Sequence, residues 1–183
     1  MASRRLAGGA ACMVQFRAKD KTPDEIYSLA SELKKIFEEK GVIFIINDHL
    51  EIAHLLDVDG LHVGQSDTHA RLARSILGQD KIIGVSCSNL KEAILAQEAG
   101  ADYLGVGAVF ATPTKSDAQT TSLKTITDIS RKIKLPFFAI GGVTRDNISR
   151  VVSCGVRKVA VCRDVLEAKD MAKAVAVLKE KLR

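Results

Sequence analysis

Residues 41–63, GVIFIINDHLEIAHLLDVDGLHV, contain one full repeat of the pattern that decides the fold. A short apolar run, Val42–Ile46, is followed by the polar pair Asn47–Asp48, a segment predicted to be helical and a second apolar run, Gly60–Val63. Neither run alternates strictly between apolar and polar residues. Such short apolar runs are typical of strands that are buried on both faces of a parallel sheet.

The same repeat continues in both directions along the chain and gives seven predicted strands. Strands that alternate with helices indicate a parallel sheet with right-handed crossovers. Seven strands at this spacing favour an α/β fold of the TIM (β/α)8-barrel type over a doubly wound sheet. The predicted strands are Cys12–Phe16, Val42–Ile46, Gly60–Val63, Ile82–Val85, Tyr103–Gly107, Phe137–Ile140 and Lys158–Cys162.

Helix boundaries are marked most clearly between Pro23 and Lys40. Thr22 and Glu25 form a capping box before this predicted helix, and Gly41 follows its end. Two further helices are predicted from similar signals. They are a helix from Asn89 to Gly100, with Asn89 and Glu92 as its capping box, and a last helix from about Glu167 to Lys181.

The number of strands is one short of a full barrel, which needs eight strands and at least about 200 residues. The chain has 183 residues. Leu6–Ala10, which precedes the first predicted strand, resembles Glu98–Ala101 and Ser153–Val156, which precede later strands. We therefore expect residues 1–183 to form a single β/α barrel domain that lacks the first strand and most of the first helix.

Composition narrows the class of protein. Hydrophobic residues make up 46% of the chain and charged residues 27%, which is ordinary for a soluble globular domain, and no apolar run is long enough for a membrane span. The net charge of +5 is spread among acidic residues, with few aromatic residues to stack on bases, so we expect no nucleic acid partner. Without a secretory signal, a cytoplasmic protein with four reduced, structural cysteines is expected.

Polar residues at the predicted strand ends indicate binding of phosphates. Gln15, Arg17 and Lys19 follow one another with period two at the end of the first strand, and a guanidinium with an ammonium group suits a diphosphate. A solvated strand end is the alternative for this triplet. Ser86 ends the strand that begins at Ile82, and by itself it is weak evidence because loop serines usually bond the backbone.

Asp48 and Asp67 follow adjacent predicted strands. Carboxylate oxygens that meet substrate phosphates are the ligands that Mg²⁺ prefers, so we predict a magnesium site there. For each residue alone, an Asx turn at Asp48 or a helix cap at Asp67 would also explain the sequence. A catalytic pair of acids is a third alternative. The four histidines show no zinc motif.

A second group of residues follows the later strands. Thr112–Lys115 places two hydroxyls and an ammonium group on a long loop, and Gly105 and Gly107 allow a ligand to approach the backbone. Gly141–Gly142 and Cys162–Arg163 follow the strands that would be seventh and eighth in a full barrel. Backbone N–H groups in those loops form the usual phosphate site of this fold, although a glycine pair alone is also consistent with a tight turn.

These stretches, in this order, resemble the thiamine phosphate synthase family over nearly the whole chain. The combination of Thr-Pro-Thr-Lys with Asn-Asp and Gly-Gln-x-Asp is specific to it. The matching segments are Gln15–Lys19, Phe44–Asp48, Gly60–Asp67, Ile83–Ser86, Gly105–Lys115 and Ala139–Val143.

The resemblance implies a transferase that joins hydroxymethylpyrimidine diphosphate to a carboxythiazole phosphate, giving thiamine phosphate, diphosphate and carbon dioxide. The implied mechanism is dissociative, with Arg17, Lys19 and Lys115 as the catalytic cations and Mg²⁺ on Asp48 and Asp67. The residues implied to hold the pyrimidine diphosphate are Gln15, Arg17, Lys19, Asn47, Ser86 and Lys115. Those implied around the thiazole phosphate are Thr112, Thr114, Gly141, Gly142, Cys162 and Arg163.

Three departures from the family pattern leave alternatives open. The first strand is missing, Arg163 stands where serine is common, and Gln119–Thr121 replaces a pattern of small residues followed by Val-Gly. A tautomerase-like isomerase of the same fold and a catalytically inactive binding or regulatory protein are therefore rival functions. A start upstream of Met1 is a further alternative. The open edges expected near Cys12–Phe16 and Lys158–Cys162 favour self-association into a homo-oligomer.

Overall fold

A computed structural model of the chain describes residues 13–65, 70–112 and 120–183. Its seven strands are parallel where their pairing is resolved, and they follow chain order in the sheet. The strands are β1 Met13–Phe16, β2 Ile43–Asn47, β3 Gly60–Val63, β4 Ile82–Cys87, β5 Tyr103–Val106, β6 Phe137–Ile140 and β7 Val159–Ala160. The helices are α1 Pro23–Glu39, α2 Leu50–Leu55, α3 Ala70–Leu77, α4 Leu90–Glu98, α5 Leu123–Lys132, α6 Ile148–Val152, α7 Arg163–Leu166 and α8 Met171–Lys181.

All seven predicted strands are present, and their ends differ from the prediction by a few residues. The last strand differs most, since β7 covers only Val159–Ala160 instead of Lys158–Cys162. The carbonyl of Cys162 already accepts hydrogen bonds from the amides of Val165 and Leu166, so this residue begins a helix and cannot extend the strand. Cys12 lies outside the described residues.

The helix signals were good guides to the starts of helices. Thr22 caps α1 with a complete capping box, in which Thr22 and Glu25 bond each other's backbone amides as predicted. The predicted last helix, from about Glu167, was wrong at its beginning. Glu167 caps the end of the separate short helix α7, and α8 begins only at Met171, where Asp170 caps it by accepting a hydrogen bond from the amide of Lys173.

The chain forms two compact units, residues 1–86 with 96–103 and residues 87–95 with 104–183. In the first unit, β1 to β4 pair in parallel, and the side chains of Ile43–Ile46 are buried. Ile26 and Ala30 are the buried residues of α1. The Asp59 carboxylate accepts a hydrogen bond of 3.0 Å from the amide of Phe44, which ties a loop to β2.

The second unit has its own parallel pairs, β5 with β6 and β6 with β7. Apolar residues recur along its helices at helical spacing and are buried, which is how a helix covers one face of a sheet. The buried residues of this unit include Ile126, Ile129, Ala139, Ile148, Val151, Val156, Ala174 and Leu178. The described residues therefore give a β/α fold with seven strands, one fewer than a full barrel.

Candidate active site

The carboxyl ends of β1 to β4 form one edge of the first unit, because parallel strands in this register end at the same side. Gln15 lies in β1, half-buried, opposite Ile45. Asn47 is the last residue of β2 and lies opposite His62 of β3, with only 8% of its surface exposed. The structure therefore places Gln15 and Asn47 at the edge that the sequence predicted.

Arg17 and Lys19 lie just beyond that edge. Strand β1 ends at Phe16. Arg17 and Lys19 therefore lie outside the strand, and the alternation of side chains along a strand does not place them on the same side as Gln15. Arg17 is half-buried and Lys19 is exposed. Within the described part of the chain, neither forms an ion pair with an acidic side chain. Their charge is thus not neutralised by a described carboxylate.

Asp48 has a left-handed backbone with φ of 66°, which is uncommon for residues other than glycine. Its amide donates to the carbonyl of His62 at 2.9 Å, and its carbonyl accepts from the amide of Leu50 at 3.1 Å. Aspartate is among the few residues that adopt this conformation readily. The backbone therefore turns sharply after β2 and leaves the Asp48 carboxylate half-buried at the edge.

Three of the predicted site residues, Asp67, Thr114 and Lys115, lie outside the described residues. The predicted Asp48–Asp67 pair thus has only one described member. Within residues 13–65, 70–112 and 120–183, no group of three histidine, cysteine or acidic side chains is arranged to hold a metal. Of the predicted pair, Asp48 is the described member, and its carboxylate is the kind of hard oxygen ligand that Mg²⁺ prefers.

A buried row of polar side chains, which the sequence did not reveal, reaches Ser86. The Tyr103 hydroxyl lies 2.9 Å from His62 Nδ1, and Ser86 Oγ lies 2.9 Å from His62 Nε2. Burial raises the pKa of Tyr103 well above its ordinary value, and a hydrogen bond between Tyr103 and the Gln15 side chain opposes this shift. Two predicted ligand residues, Gln15 and Ser86, are therefore connected through two residues that were not predicted.

Gly84 makes room for this row. A Cβ at Gly84 would lie 2.1 Å from the Tyr103 ring and 2.5 Å from His62 Nδ1, so any larger residue would displace both. The Gln65 side-chain amide donates to the carbonyl of Ser86 at 2.6 Å, which fixes the backbone at the end of β4. Glycine in the middle of a buried strand was the signal in the sequence that could have indicated close packing here.

In the second unit, the loop after β6 contains the predicted glycine pair. Gly141 and Gly142 have φ of 93° and 62°. A Cβ at Gly141 would lie 2.6 Å from Ala108 Cα, and one at Gly142 would lie 2.6 Å from the carbonyl oxygen of Ala111. Neither glycine amide donates a hydrogen bond to any described group, so within the described part of the chain no acceptor competes with an anion for these N–H groups.

An ion pair that the sequence did not predict connects the loop after β6 with the helix after β7. The Asp164 carboxylate accepts hydrogen bonds from the amide, Nε and Nη2 of Arg145 at 3.0, 2.9 and 3.2 Å. The Arg145 guanidinium lowers the pKa of Asp164. The ion pair between Arg145 and Asp164 thus holds together the two loops that were predicted to bind phosphate.

Cys162 and Arg163, also predicted at the phosphate site, are both exposed. The Arg163 guanidinium is engaged by Glu167 one helical turn later, with contacts of 2.7 and 3.3 Å. This pairing raises the pKa of Arg163 and lowers the pKa of Glu167. In this arrangement Arg163 extends along α7 with its charge already paired.

The remaining loop of the second unit is described only at its ends. Thr112 is half-buried, and beyond the residues left out, Thr121 is buried and donates to the carbonyl of Ser88 at 3.0 Å. Gly107 allows close packing of the backbone, since a Cβ there would lie 2.0 Å from the carbonyl oxygen of Ile140.

The thiol of Cys87, at the end of β4, is buried. Burial raises its pKa to about 12, so the thiol stays protonated at neutral pH.

Comparison with known proteins identifies the family. A family model described as thiamine monophosphate synthase matches residues 1–165. The chain belongs to the thiamine monophosphate synthase family. The thiamine-phosphate synthase of Methanobrevibacter smithii is 44% identical over 162 residues, which are 88% of this chain and 78% of that protein. Thiamine phosphate pyrophosphorylase from Pyrococcus furiosus has a TM-score of 0.85 at 34% identity, covering 99% of this chain and 87% of that chain.

Membership in the thiamine monophosphate synthase family confirms the resemblance, the TIM-type β/α fold and the enzyme class, a transferase of thiamine biosynthesis. The structure of 3-hexulose-6-phosphate synthase, with a TM-score of 0.71 at 18% identity, covers 100% of this chain and 94% of that chain and shares the fold alone. None of the helices in the described ranges has the length and apolar character that crossing a bilayer requires.

Proposed function

We propose that this chain makes thiamine phosphate by joining the pyrimidinylmethyl group of a diphosphate substrate to a carboxythiazole phosphate, with release of diphosphate and carbon dioxide. One observation carries the proposal. Arg17 and Lys19 have no acidic partner among the described residues and lie beyond the edge that holds Gln15, Asn47 and Ser86. A diphosphate supplies the negative charge that such a group of donors requires.

The two substrates are assigned to different sets of residues. We assign the pyrimidine diphosphate to Gln15, Arg17, Lys19, Asn47, Ser86 and Lys115. We assign the phosphate of the thiazole to the loops after β6 and β7, with the amides of Gly141 and Gly142 as its principal donors. Thr112, Thr114, Cys162 and Arg163 are the further residues assigned to that substrate.

The Mg²⁺ ion is proposed on the carboxylates of Asp48 and Asp67. Asp48 fits the role, since the turn after β2 presents a half-buried carboxylate at the same edge as the cations. When bound, the metal neutralises charge on the departing diphosphate. Arg17, Lys19 and Lys115 stabilise the same charge, which lets the pyrimidinylmethyl cation form before the thiazole nitrogen captures it.

Product formation from the two substrates tests the reaction directly. Purified protein is expected to release thiamine phosphate and diphosphate in equal amounts when Mg²⁺ is present. A protein that binds the thiazole phosphate but forms no product would instead be a binding or regulatory member of the family. Conversion of the thiazole substrate alone into an isomer would identify a tautomerase.

The assignment of metal and lysine needs a separate experiment. Calorimetry is expected to show binding of the pyrimidine diphosphate with Mg²⁺ and much weaker binding without it, and equal affinity in both conditions would contradict the metal site. Lys115→Ala and Asp67→Ala are each expected to reduce turnover far more than folding stability. Near-full activity in either variant would show that its assigned role is wrong.

The organisation as a single domain, the cytoplasmic location and self-association remain predictions. The terminal strands β1 and β7 are the edges to which the prediction of self-association applies. Sedimentation velocity of the purified chain tests it. A single species at the monomer mass would contradict self-association through those edges.

A further inference from the structure

The row formed by Tyr103, His62 and Ser86 is unusual because its inner members lie in the core. Tyr103 exposes 2% of its surface and His62 exposes 4%. Both contacts in the row have hydrogen-bond length, at 2.9 Å. Buried polar groups that bond each other in this way hold their proton positions firmly, because an unsatisfied group in the core is costly.

The direction of each hydrogen bond depends on which ring nitrogen of His62 carries the proton, since both contacts have hydrogen-bond length. The ligand proposed at Ser86 selects one direction. The oxygens of a diphosphate only accept hydrogen bonds, so the Ser86 hydroxyl can bind one only if its proton is not used on His62. The Tyr103 hydroxyl must then donate to His62 Nδ1.

This direction continues through the imidazole ring. A neutral histidine that accepts at Nδ1 carries its proton on Nε2. His62 Nε2–H therefore donates to Ser86 Oγ, and the hydroxyl proton of Ser86 must point away from the ring. In the described part of the chain, no group accepts that proton. Because Gln65 also holds the carbonyl of Ser86, only the direction of the hydroxyl proton is left for a ligand to use.

We infer that Tyr103 and His62 are positioning residues that set Ser86 as a hydrogen-bond donor toward an anionic oxygen of the diphosphate substrate. The inference depends on the proposed function for the assignment of Ser86 to that substrate. If the row ran the opposite way, Ser86 would donate to His62 and would present lone pairs to the diphosphate, which repel it. The tautomer of one buried histidine thus decides whether this part of the site attracts or repels the substrate.

The tautomer can be measured without any substrate. Nitrogen-15 chemical shifts of the histidine rings distinguish Nδ1–H from Nε2–H, and His62→Gln assigns the signals among the four histidines. The wild-type protein is expected to hold His62 as the Nε2–H tautomer. A proton on Nδ1, in the other neutral tautomer or in the imidazolium ion, would overturn the inference. Because this measurement is made on the wild-type protein, it tests the inference even if variants of Tyr103 or Ser86 fail to fold.

Binding of inorganic diphosphate with Mg²⁺, measured by calorimetry, tests the consequence. Tyr103→Phe keeps the ring and removes the proton that fixes the tautomer, so both neutral tautomers are expected. With about half of the molecules in the Nδ1–H form, the Kd for diphosphate should rise about twofold. Tyr27→Phe is the matched control, since Tyr27 is exposed on α1, and it should leave the Kd unchanged.

A double variant shows whether the effect passes through Ser86. Ser86→Ala removes the donor itself and should weaken diphosphate binding about tenfold. Adding Tyr103→Phe to Ser86→Ala should leave the Kd unchanged, because Tyr103 acts only through Ser86. Additive effects, or no diphosphate binding by the wild type, would overturn the inference. Thiamine phosphate formation is measured separately. If no product forms but the Kd for diphosphate still depends on Tyr103 and Ser86, the proposed function is overturned and the role of Tyr103 and His62 in positioning Ser86 stands.

Discussion

The two units form their loop edges from different chemical groups. In the first unit the edge consists of side chains: Asn47 and Asp48 at β2, and Ser86 held by the buried pair Tyr103 and His62. In the second unit it consists mainly of backbone, since Gly141 and Gly142 present amides, and the side chains nearby serve to hold the loops together.

This difference predicts how each edge responds to mutation. A site made of side chains loses a function when one group is removed, while the fold survives, because the backbone does not depend on that group. A site made of backbone amides has no side chain to remove. It is damaged by added atoms or by loss of the contacts behind it, so its function and its folding stability should fall together.

The largest expected effect is on turnover, in the first unit. Asp48→Gly removes the carboxylate but suits the left-handed backbone, so the free energy of unfolding should change by less than about 1 kcal/mol. Turnover should fall about a hundredfold, because the variant loses a proposed Mg²⁺ ligand and the charge on the leaving diphosphate is stabilised less. Thiamine phosphate formation and urea unfolding measure the two effects.

Asp57→Gly is the matched control for Asp48→Gly. Asp57 also has positive φ, at 49°, but its carboxylate pairs with Lys81 away from the proposed ligands. Its turnover should equal that of the wild type. An Asp48→Gly variant that is as active as the control would remove Asp48 from the site.

The second prediction concerns the backbone edge. Gly141→Ala should lower the free energy of unfolding by about 3 kcal/mol, from the left-handed backbone and from the clash with Ala108. Gly155→Ala has a similar φ of 85° with no atom closer than 3.6 Å, so it should lose only about 1 kcal/mol. Equal losses in urea unfolding would show that contact with Ala108 does not constrain this loop.

A smaller effect is expected where a side chain supports the second unit. Thr121→Val keeps the shape of the residue but removes the hydrogen bond to the Ser88 carbonyl, and should lower the free energy of unfolding by about 1 kcal/mol. The exposed neighbour Thr120 provides the control, because Thr120→Val should change stability very little. Chemical unfolding of both variants makes the comparison, and a larger loss for Thr120→Val would contradict the anchoring role of Thr121.

The smallest expected effect is a dependence of stability on pH. Arg145 lowers the pKa of Asp164 below its ordinary 3.8, so the pair stabilises the fold fully above that value and loses its contribution as pH falls through the lower pKa of the folded state. The stability difference between wild type and Arg145→Met should therefore be constant near neutral pH and shrink below about pH 4.

Arg163→Met tests the same effect for an ion pair that is more exposed. The Arg163 and Glu167 side chains are 53% and 62% exposed, so water screens their attraction and no measurable loss of stability is expected. Urea midpoints measured for both variants across the acidic range provide the comparison. A difference for Arg145→Met that grew toward low pH would mean that Asp164 is not stabilised by Arg145.

Local signals in the sequence were enough to predict the succession of elements and the places where ligand groups occur. Strand periodicity, the capping box at Thr22 and Glu25, and the order of polar residues after each strand are local signals. They depend on spacing along a few residues, and so they can be predicted without knowing the fold. The predicted end of a strand was wrong where the next helix uses the same residue, as at Cys162, whose carbonyl accepts the first hydrogen bonds of α7.

Contacts between distant side chains, in contrast, depend on how the strands and helices pack. His62 joins Tyr103 and Ser86, and Arg145 joins Asp164, through pairings between residues far apart in the chain, which no local pattern encodes. The left-handed turn at Asp48 is likewise fixed by its bond to β3. The sequence thus named the residues expected to meet the substrates, and the packing of the strands determined how two of them, Gln15 and Ser86, are held.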